Sequence, residues 1–587
     1  PYYYSDSNVG LYLDFDSSEN SSIYYQWENF ANYSKTWNKA HTLTAMAGFS
    51  FSKRISNSVS GSLKSNGEDA LKGTSENFWH LKYASDSAIK SIDGETNEIA
   101  KMSWFGRLGY EYKGKYMVQA SLRADAADLS FLPKSGRWGF FPSVSAGWTV
   151  SEESFFQPVK RVVNNLKLRV SWGQNGSLAS LGNYEYASTI VTSQSYPLGA
   201  SAATKGPGDG GQGGSGDGGQ GGSGDGGQGG NQGGGSSTGT GSSDNATTLG
   251  RTPNALGNEN LRWETSEQFD LGLDTRFLSD RLTFSMDYFD KETKGLLITG
   301  VMPSMSVGGT LSPINAGNVS NKGFEFELGW KDNIGDLSYG INGNLATLKN
   351  MVTYLDPSLN LIPGVESGHN TYLTAFEEGY PIYHLRGYKY AGVNPENGDP
   401  LFYTKNGEIT DNPSGDDFGD LGSGIPKVTA GLTLNVAYKG FDLTVFGNGA
   451  FGSKVYLLMN EVGTANNKIR SIFYEDRWTP TNTNASRPRA MQGTPASNYF
   501  KSSAFIFSGD FFKIQQIQLG YSLPKKLLKK MFLNNLRVYC SLDDFFIFTQ
   551  YPGYSPEAAS DSITGAGIDF GAYPTSKKVV FGLNVEF

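Results

Sequence analysis

The sequence predicts an all-β chain folded as an antiparallel transmembrane β-barrel. Three observations predict it. Apolar and polar residues alternate with a period of two through many separate segments. The connections between those segments are short and long by turns. No stretch approaches the ~18 consecutive apolar residues of a membrane helix, whereas a barrel crosses with short alternating strands.

The alternation is plain at the end of the chain. In KKVVFGLNVEF (577–587), Val579, Phe581, Leu583, Val585 and Phe587 fall on one side, and Val580, Gly582, Asn584 and Glu586 on the other. Successive strand side chains point to opposite faces, so this is a strand with one apolar face. KVTAGLTLNVAYKG sets Val428, Ala430, Leu432, Leu434, Val436 and Tyr438 against Thr429, Gly431, Thr433 and Asn435. RLTFSMDYFD sets Leu282, Phe284, Met286 and Tyr288 against Thr283, Ser285 and Asp287. In NKGFEFELGW, Glu325 and Glu327 flank Phe326 yet avoid its face. A charge facing lipid costs up to about 2–4 kcal/mol at mid-depth, and strict exclusion of charge is what that penalty produces. A soluble sandwich also alternates, so alternation alone does not choose between lipid and a protein core.

The connections choose. Strands are expected at 7–15, 23–35, 39–52, 101–112, 115–127, 140–150, 165–175, 264–276, 281–293, 319–331, 337–349, 426–438, 440–452, 508–523, 533–545 and 577–587. That makes about 16 strands, each near the length a tilted membrane strand needs. Every second connection is short: SKTWNKA, YKGK, FLSDR, KDNIGD, YKGF and LPKKLLKKMFLN, with SEESFFQPVKRVVNN somewhat longer. The others, mostly long, include 53–100, 176–263, 294–318, 350–425, 453–507 and 546–576. Short periplasmic turns opposite long extracellular loops is the asymmetry of outer-membrane barrels. It makes the last strand run inward and end at the periplasm.

Composition agrees. Aromatic residues reach 13 % while hydrophobic residues total only 38 %, a balance suited to half-buried pleated surfaces. The net charge of −8 and the lack of a basic patch argue against nucleic acid as a partner. The single cysteine, Cys540, excludes an intrachain disulfide and reads as a wall side chain. The opening PYYYSDSNVG has no basic or apolar leader segment, and the chain is expected to be a fragment of a longer protein.

One tract departs from the strand pattern. Residues 205–242 are glycine-rich, with an eight-residue repeat carrying Asp209, Asp217 and Asp225. A calcium β-roll needs a nine-residue period and an inward aliphatic residue. Neither is present, so the tract is expected to be a flexible spacer in an extracellular loop.

Motifs for chemistry are sparse. His41, His80, His369 and His384 form no metal-ligand spacing, and there is no nucleophile elbow or phosphate loop. No catalytic residue, cofactor or metal site is expected, and His41 and His369 read as solvated. NPSGDDFGDLG (412–422), with Asp416, Asp417 and Asp420, lacks the spacing of a calcium loop and reads as an acidic loop. NPENGDP (394–400) reads as a turn. PKKLLKKM (524–531) is a basic amphipathic stretch that either caps the barrel bottom or touches lipid head groups.

Seven stretches, in order, carry a family resemblance: WGFFPSVSAGWTVSEESFF, NLKLRVSWGQNG, NENLRWETSEQFDLGLD, NVSNKGFEFELGW, YPIYHLRGYKYAGVNPENGDP, FFKIQQIQLGYSLPKKLLKKM and NLRVYCSLDDFFIFTQYPGYSPE. They resemble the SusC/RagA family of TonB-dependent outer-membrane transporters of Bacteroidetes-type bacteria. The resemblance covers nearly the whole chain, apart from the glycine repeat. It implies a barrel of about 22 strands with an N-terminal plug and TonB box, of which residues 1–587 would be the C-terminal part. It further implies an active importer of oligosaccharides or oligopeptides, working with a SusD-like surface lipoprotein and driven by TonB-ExbB-ExbD. Lumen-facing Glu325, Glu327, Asp287 and Asn435 read either as lining the path or as plain solvated wall positions, the second being favoured for each one singly. The outer-loop aromatics Tyr388, Tyr390, Tyr551 and Tyr554 are expected either to stack on substrate or to pack on the lid. Two other readings compete: a passive porin or adhesin-like barrel, and an outer-membrane enzyme, for which no Ser-His pair is evident.

Overall fold

A computed structural model describes residues 12–587 apart from 74, 198–246, 299–309, 368–370, 459–470, 492–493, 531, 559–561 and 572. The expected spacer 205–242 lies outside the described residues, as does most of the expected strand 7–15.

Fifteen wall strands follow one another in a single antiparallel sheet. They are β1 (Phe15–Trp37), β2 (His41–Lys64), β3 (Ile89–Tyr112), β4 (Tyr116–Ala126), β5 (Trp138–Thr149), β6 (Val163–Ser177), β7 (Glu264–Phe277), β8 (Leu282–Ile298), β9 (Ile314–Ile334), β10 (Leu337–Thr347), β11 (Val428–Tyr438), β12 (Phe441–Phe451), β13 (Phe511–Ser522), β14 (Asn535–Thr549) and β15 (Lys578–Glu586). A sixteenth strand, Lys349–Leu355, continues past β10 and pairs with β9. The expected all-β barrel class is what the structure has.

The register carries the apolar face from strand to strand. Directly paired residues in an antiparallel sheet share a face. Phe581 pairs Cys540, which pairs Leu519, then Leu443, then Val436. Further round, Phe326 pairs Met286, then Leu273, Leu168, Trp148, Tyr116, Tyr112, His41 and Trp37. This chain of pairs lies toward the short-turn edge and ends in an aromatic row. The Tyr112, Tyr116 and Trp148 rings stack in sequence, and His41 leans on Tyr112. An aromatic girdle at the interface is how a barrel anchors its depth. His41, expected to be solvated, is part of this row and meets the Tyr110 hydroxyl at 2.7 Å. Charges near the ends of the apolar face include ion pairs: Arg281 with Asp332 toward the turns and Lys322 with Asp290 toward the loops, at 3.2 and 2.8 Å.

The strands β1 to β3 run 23 or 24 residues, well beyond the 9–11 of a membrane crossing. The outer halves of β2 and β3, expected as loop (53–100), continue as ribbon beside the outer half of β1, on residues such as Ser22, Ser56, Asn57 and Thr96. Ser22 hydrogen-bonds Ser56, and Thr96 donates to Asn57. Polar residues on both faces erase the lipid signature, so the sequence offers no reason to extend the strand. Around the glycine tract, Thr189–Pro197 and Thr247–Leu256 pair as an antiparallel ribbon.

The switch of β9 from β10 to Lys349–Leu355 brings Thr347 close to the β9 backbone. A Cβ at Gly323 would collide with the Thr347 carbonyl oxygen and crowd the Phe289 ring. Gly323→Ala is therefore expected to destabilise the folded barrel by about 1–3 kcal/mol, the scale of overpacking. Urea titration of the full-length protein in lipid or detergent reads this directly.

Candidate functional site: the polar wall and the packed outer loops

Opposite the apolar face, the register lines up polar residues. Asp287 pairs Glu325, Ser285 pairs Glu327, Glu327 pairs Asn344 and Asn435 pairs Thr444. Lipid cannot solvate these groups, so this face belongs to the lumen. Arg169 on β6 holds Asp274 on β7 at 2.7 Å and Asp287 on β8 at 3.0 Å, and Ser285 donates to Asp274. Arg537 on β14 pairs Asp442 on β12 and donates to Gln518 on β13. Such ladders keep wall charges satisfied and leave a smooth hydrophilic surface. Glu327 accepts from Asn342 at 3.1 Å, and Glu325 stands opposite Asp287.

The long outer connections do not hang separately. Lys454–Leu457 pairs antiparallel with Ile506–Ser508 and parallel with Ile568–Asp569, knitting 452–510 to 550–577. Tyr388, from 348–427, receives a further tie: its N–H donates to the Lys501 carbonyl. Together they enclose a hydrophobic core of Leu373, Leu385, Phe402, Tyr456, Leu457, Tyr499, Phe505, Tyr551 and Ile568. The sequence predicted long loops; it did not predict that they share a core.

This core decides where the aromatic candidates sit. Tyr388 packs edge-on against Phe418 and beside Phe402. Tyr390 packs on Tyr499, and its hydroxyl donates to the Ser486 carbonyl; burial raises its pKa. Tyr551 is buried and donates to Asp569, while Tyr554 is exposed. The structure does not bring Tyr388 and Tyr390 together with Glu325 and Glu327: the first pair builds the outer platform, the second the lumen wall.

His384 is the residue sequence reasoning passed over. It is 1 % exposed, with Nδ1 2.7 Å from Asp420 and Nε2 3.4 Å from Glu377. Tyr380 stacks on its ring at 4.5 Å. Asp420 belongs to a strand, Phe418–Gly422, that pairs with His384–Val393, so the expected acidic loop is partly sheet. Asp417 caps the preceding turn, accepting from Ser414 and from the Lys405 N–H, which hold its carboxyl below the ordinary value. NPENGDP forms the expected turn, with Asn394 Oδ1 accepting from the Glu396 N–H. His369 lies outside the described residues. Beside His384 opens a cleft of about 670 Å³ carrying Arg386, Lys389, Tyr403, Lys405, Asp417 and Asp420. The Arg386 guanidinium lies over Phe418 at 5.6 Å, and its Nε has no hydrogen-bond partner among the described residues. No group of metal-binding side chains occurs among the described residues.

Burial opposes the Asp420 charge, but hydrogen bonds from His384 and the Gly422 N–H outweigh it and depress its pKa. A depressed carboxyl contributes stability above its unfolded pKa and loses it as pH falls through the folded one. Acidification below about pH 4, the ordinary carboxylate range, is thus expected to loosen the outer platform. Limited proteolysis at neutral pH and at about pH 3 should reveal new cuts in 348–427 only in acid, and Asp420→Asn should flatten that difference.

Known proteins share this architecture. Residues 1–536 match the family model described as TonB dependent receptor-like, beta-barrel. TonB-dependent receptor P3 of Formosa agariphila is 28 % identical over 95 % of this chain and 52 % of its own length. TonB-dependent receptor SusC of Bacteroides thetaiotaomicron is 27 % identical over 86 % of this chain and 45 % of its own. The solved RagAB peptide transporter superposes with a TM-score of 0.76 at 21 % identity, over 98 % of this chain and 56 % of that one. The chain spans about half the length of the curated relatives it matches. With its apolar outer face, polar lumen face and alternating turns and loops, the chain belongs to the TonB-dependent receptor β-barrel family of the outer membrane.

Proposed function

We propose that this chain is the C-terminal wall of an active, TonB-dependent importer of oligosaccharides or oligopeptides. The observation that carries the reading is a sheet sealed toward lipid on one face, polar and charge-paired on the other, and topped by a packed platform of outer loops. A wall of this kind encloses an aqueous path without filling it. The sheet has two edges: β1 pairs only with β2, and β15 only with β14, among the described residues. Unpaired strand edges in lipid cost several kcal/mol per polar group, which supports closure by further strands from the rest of the protein. A plug and TonB box in that remainder would couple the barrel to TonB-ExbB-ExbD. The packed platform would seat a SusD-like lipoprotein, with the cleft around Arg386 as its polar feature.

The test is uptake by cells carrying the full-length protein. An importer loses uptake when the TonB box is deleted or the proton-motive force is collapsed. A passive porin or adhesin-like barrel keeps it, and that outcome would reject the reading. Growth on oligosaccharides against growth on oligopeptides as sole carbon source then assigns the substrate class.

A further inference from the structure

We infer that the turn between β13 and β14 is a phospholipid-binding element that grips anionic head groups of the periplasmic leaflet. The helix Lys525–Lys530 is six residues long. At about 100° per residue, Lys525, Lys526, Lys529 and Lys530 share one face, with Leu527 and Leu528 on the other. Leu528 is buried and fastens the helix to the turn. Leu527 is 49 % exposed, and Phe532, just beyond the helix, is 91 % exposed.

Four lysines, unpaired among the described residues, cluster on one short helix here, whereas several other turns carry ion pairs. At other turns, Lys115 pairs Glu153, Lys160 pairs Glu152, Arg281 pairs Asp332 and Lys439 pairs Asp336. None of the four helix lysines has an acidic partner among the described residues, and residues 523–536 contain no acid at all. The element also continues the lipid-facing surface. Tyr521 and Val538 pair on the apolar face, and the Leu523 N–H donates to the Leu536 carbonyl as the two strands enter the turn. Exposed Leu527 and Phe532 thus follow directly from residues that face acyl chains, with the lysines beside them. Apolar residues at the boundary and lysines at head-group level are the signature of an interfacial segment. A docking site for a soluble protein would not need that continuity with lipid.

The experiment reconstitutes the full-length protein in phosphatidylcholine nanodiscs and adds spin-labelled phosphatidylglycerol or spin-labelled phosphatidylcholine. The fraction of immobilised label measures binding. Wild type is expected to prefer phosphatidylglycerol by roughly fivefold or more, the effect of even one lysine fully engaged at an anionic surface. The combined Lys525→Gln, Lys526→Gln, Lys529→Gln and Lys530→Gln variant should show no preference. The matching Lys→Arg variant, equal in charge, should keep it. A preference that survives in the Gln variant overturns the inference. If the Gln variant does not fold, wild type alone decides: raising salt to about 0.5 M shortens the screening length and must collapse the preference. A preference indifferent to salt, or none in wild type, also overturns the inference.

Discussion

Leu434→Arg is expected to destabilise the membrane-embedded barrel by about 2–4 kcal/mol, while Thr433→Arg, one residue away, costs far less. Leu434 lies in the middle of β11, paired with Ile341 and Val445 on the apolar face. Thr433 pairs Asn342 and Phe446 on the other face. An arginine at Leu434 must give up water for hydrocarbon or distort the bilayer to keep it. An arginine at Thr433 enters a lumen wall already lined by Asn342, Asn344 and Asn435. Urea titration of the full-length protein in vesicles measures both. Equal costs at the two positions would mean that the sheet does not divide lipid from water along this strand.

Phe402→Ala is expected to remove about 3–5 kcal/mol from the outer platform while sparing the wall. Phe402 is fully buried, in contact with Tyr388 and Tyr390 and part of the core the three long connections share. Its loss leaves a cavity the size of a phenyl ring in the core that these connections share. The wall is held by its continuous ladder of backbone hydrogen bonds and should not feel the change. Limited proteolysis of intact cells should produce new cuts in 348–427, 452–510 and 550–577, with the barrel resistant. In the importer reading, the same variant loses uptake because the lid loses its seat. An unchanged cleavage pattern would mean that the loops are ordered independently of one another.

The wall was legible because its information is local. Val579 to Phe587 or Leu282 to Tyr288 declare a strand and its apolar face within a few residues, and the alternation of short and long connections orients the whole set. The polar outer halves of β1 to β3 were not legible, since Ser22, Ser56 and Thr96 lack any alternation to read. The platform was not legible either, for a different reason. Tyr390 owes its packing to Tyr499, a residue of another long connection, and nothing in the neighbouring sequence of either one announces the other. Asp420 reads as one acid among several until His384, 36 residues earlier, is set against it. Of the candidate path residues, Glu325 and Glu327 fall on the polar face. Tyr388 and Tyr390 occupy the platform, where their rings serve its core.

The central claim is that one face of every wall strand meets lipid and the other an aqueous lumen. Cysteine substitutions from Val428 to Tyr438, made singly in full-length protein carrying Cys540→Ser, test it most directly. A water-soluble maleimide applied to the membrane-embedded protein should label Thr429→Cys, Gly431→Cys, Thr433→Cys and Asn435→Cys and leave Ala430→Cys, Leu432→Cys, Leu434→Cys and Val436→Cys unreacted. Uniform labelling, or labelling of the opposite phase, would contradict the account.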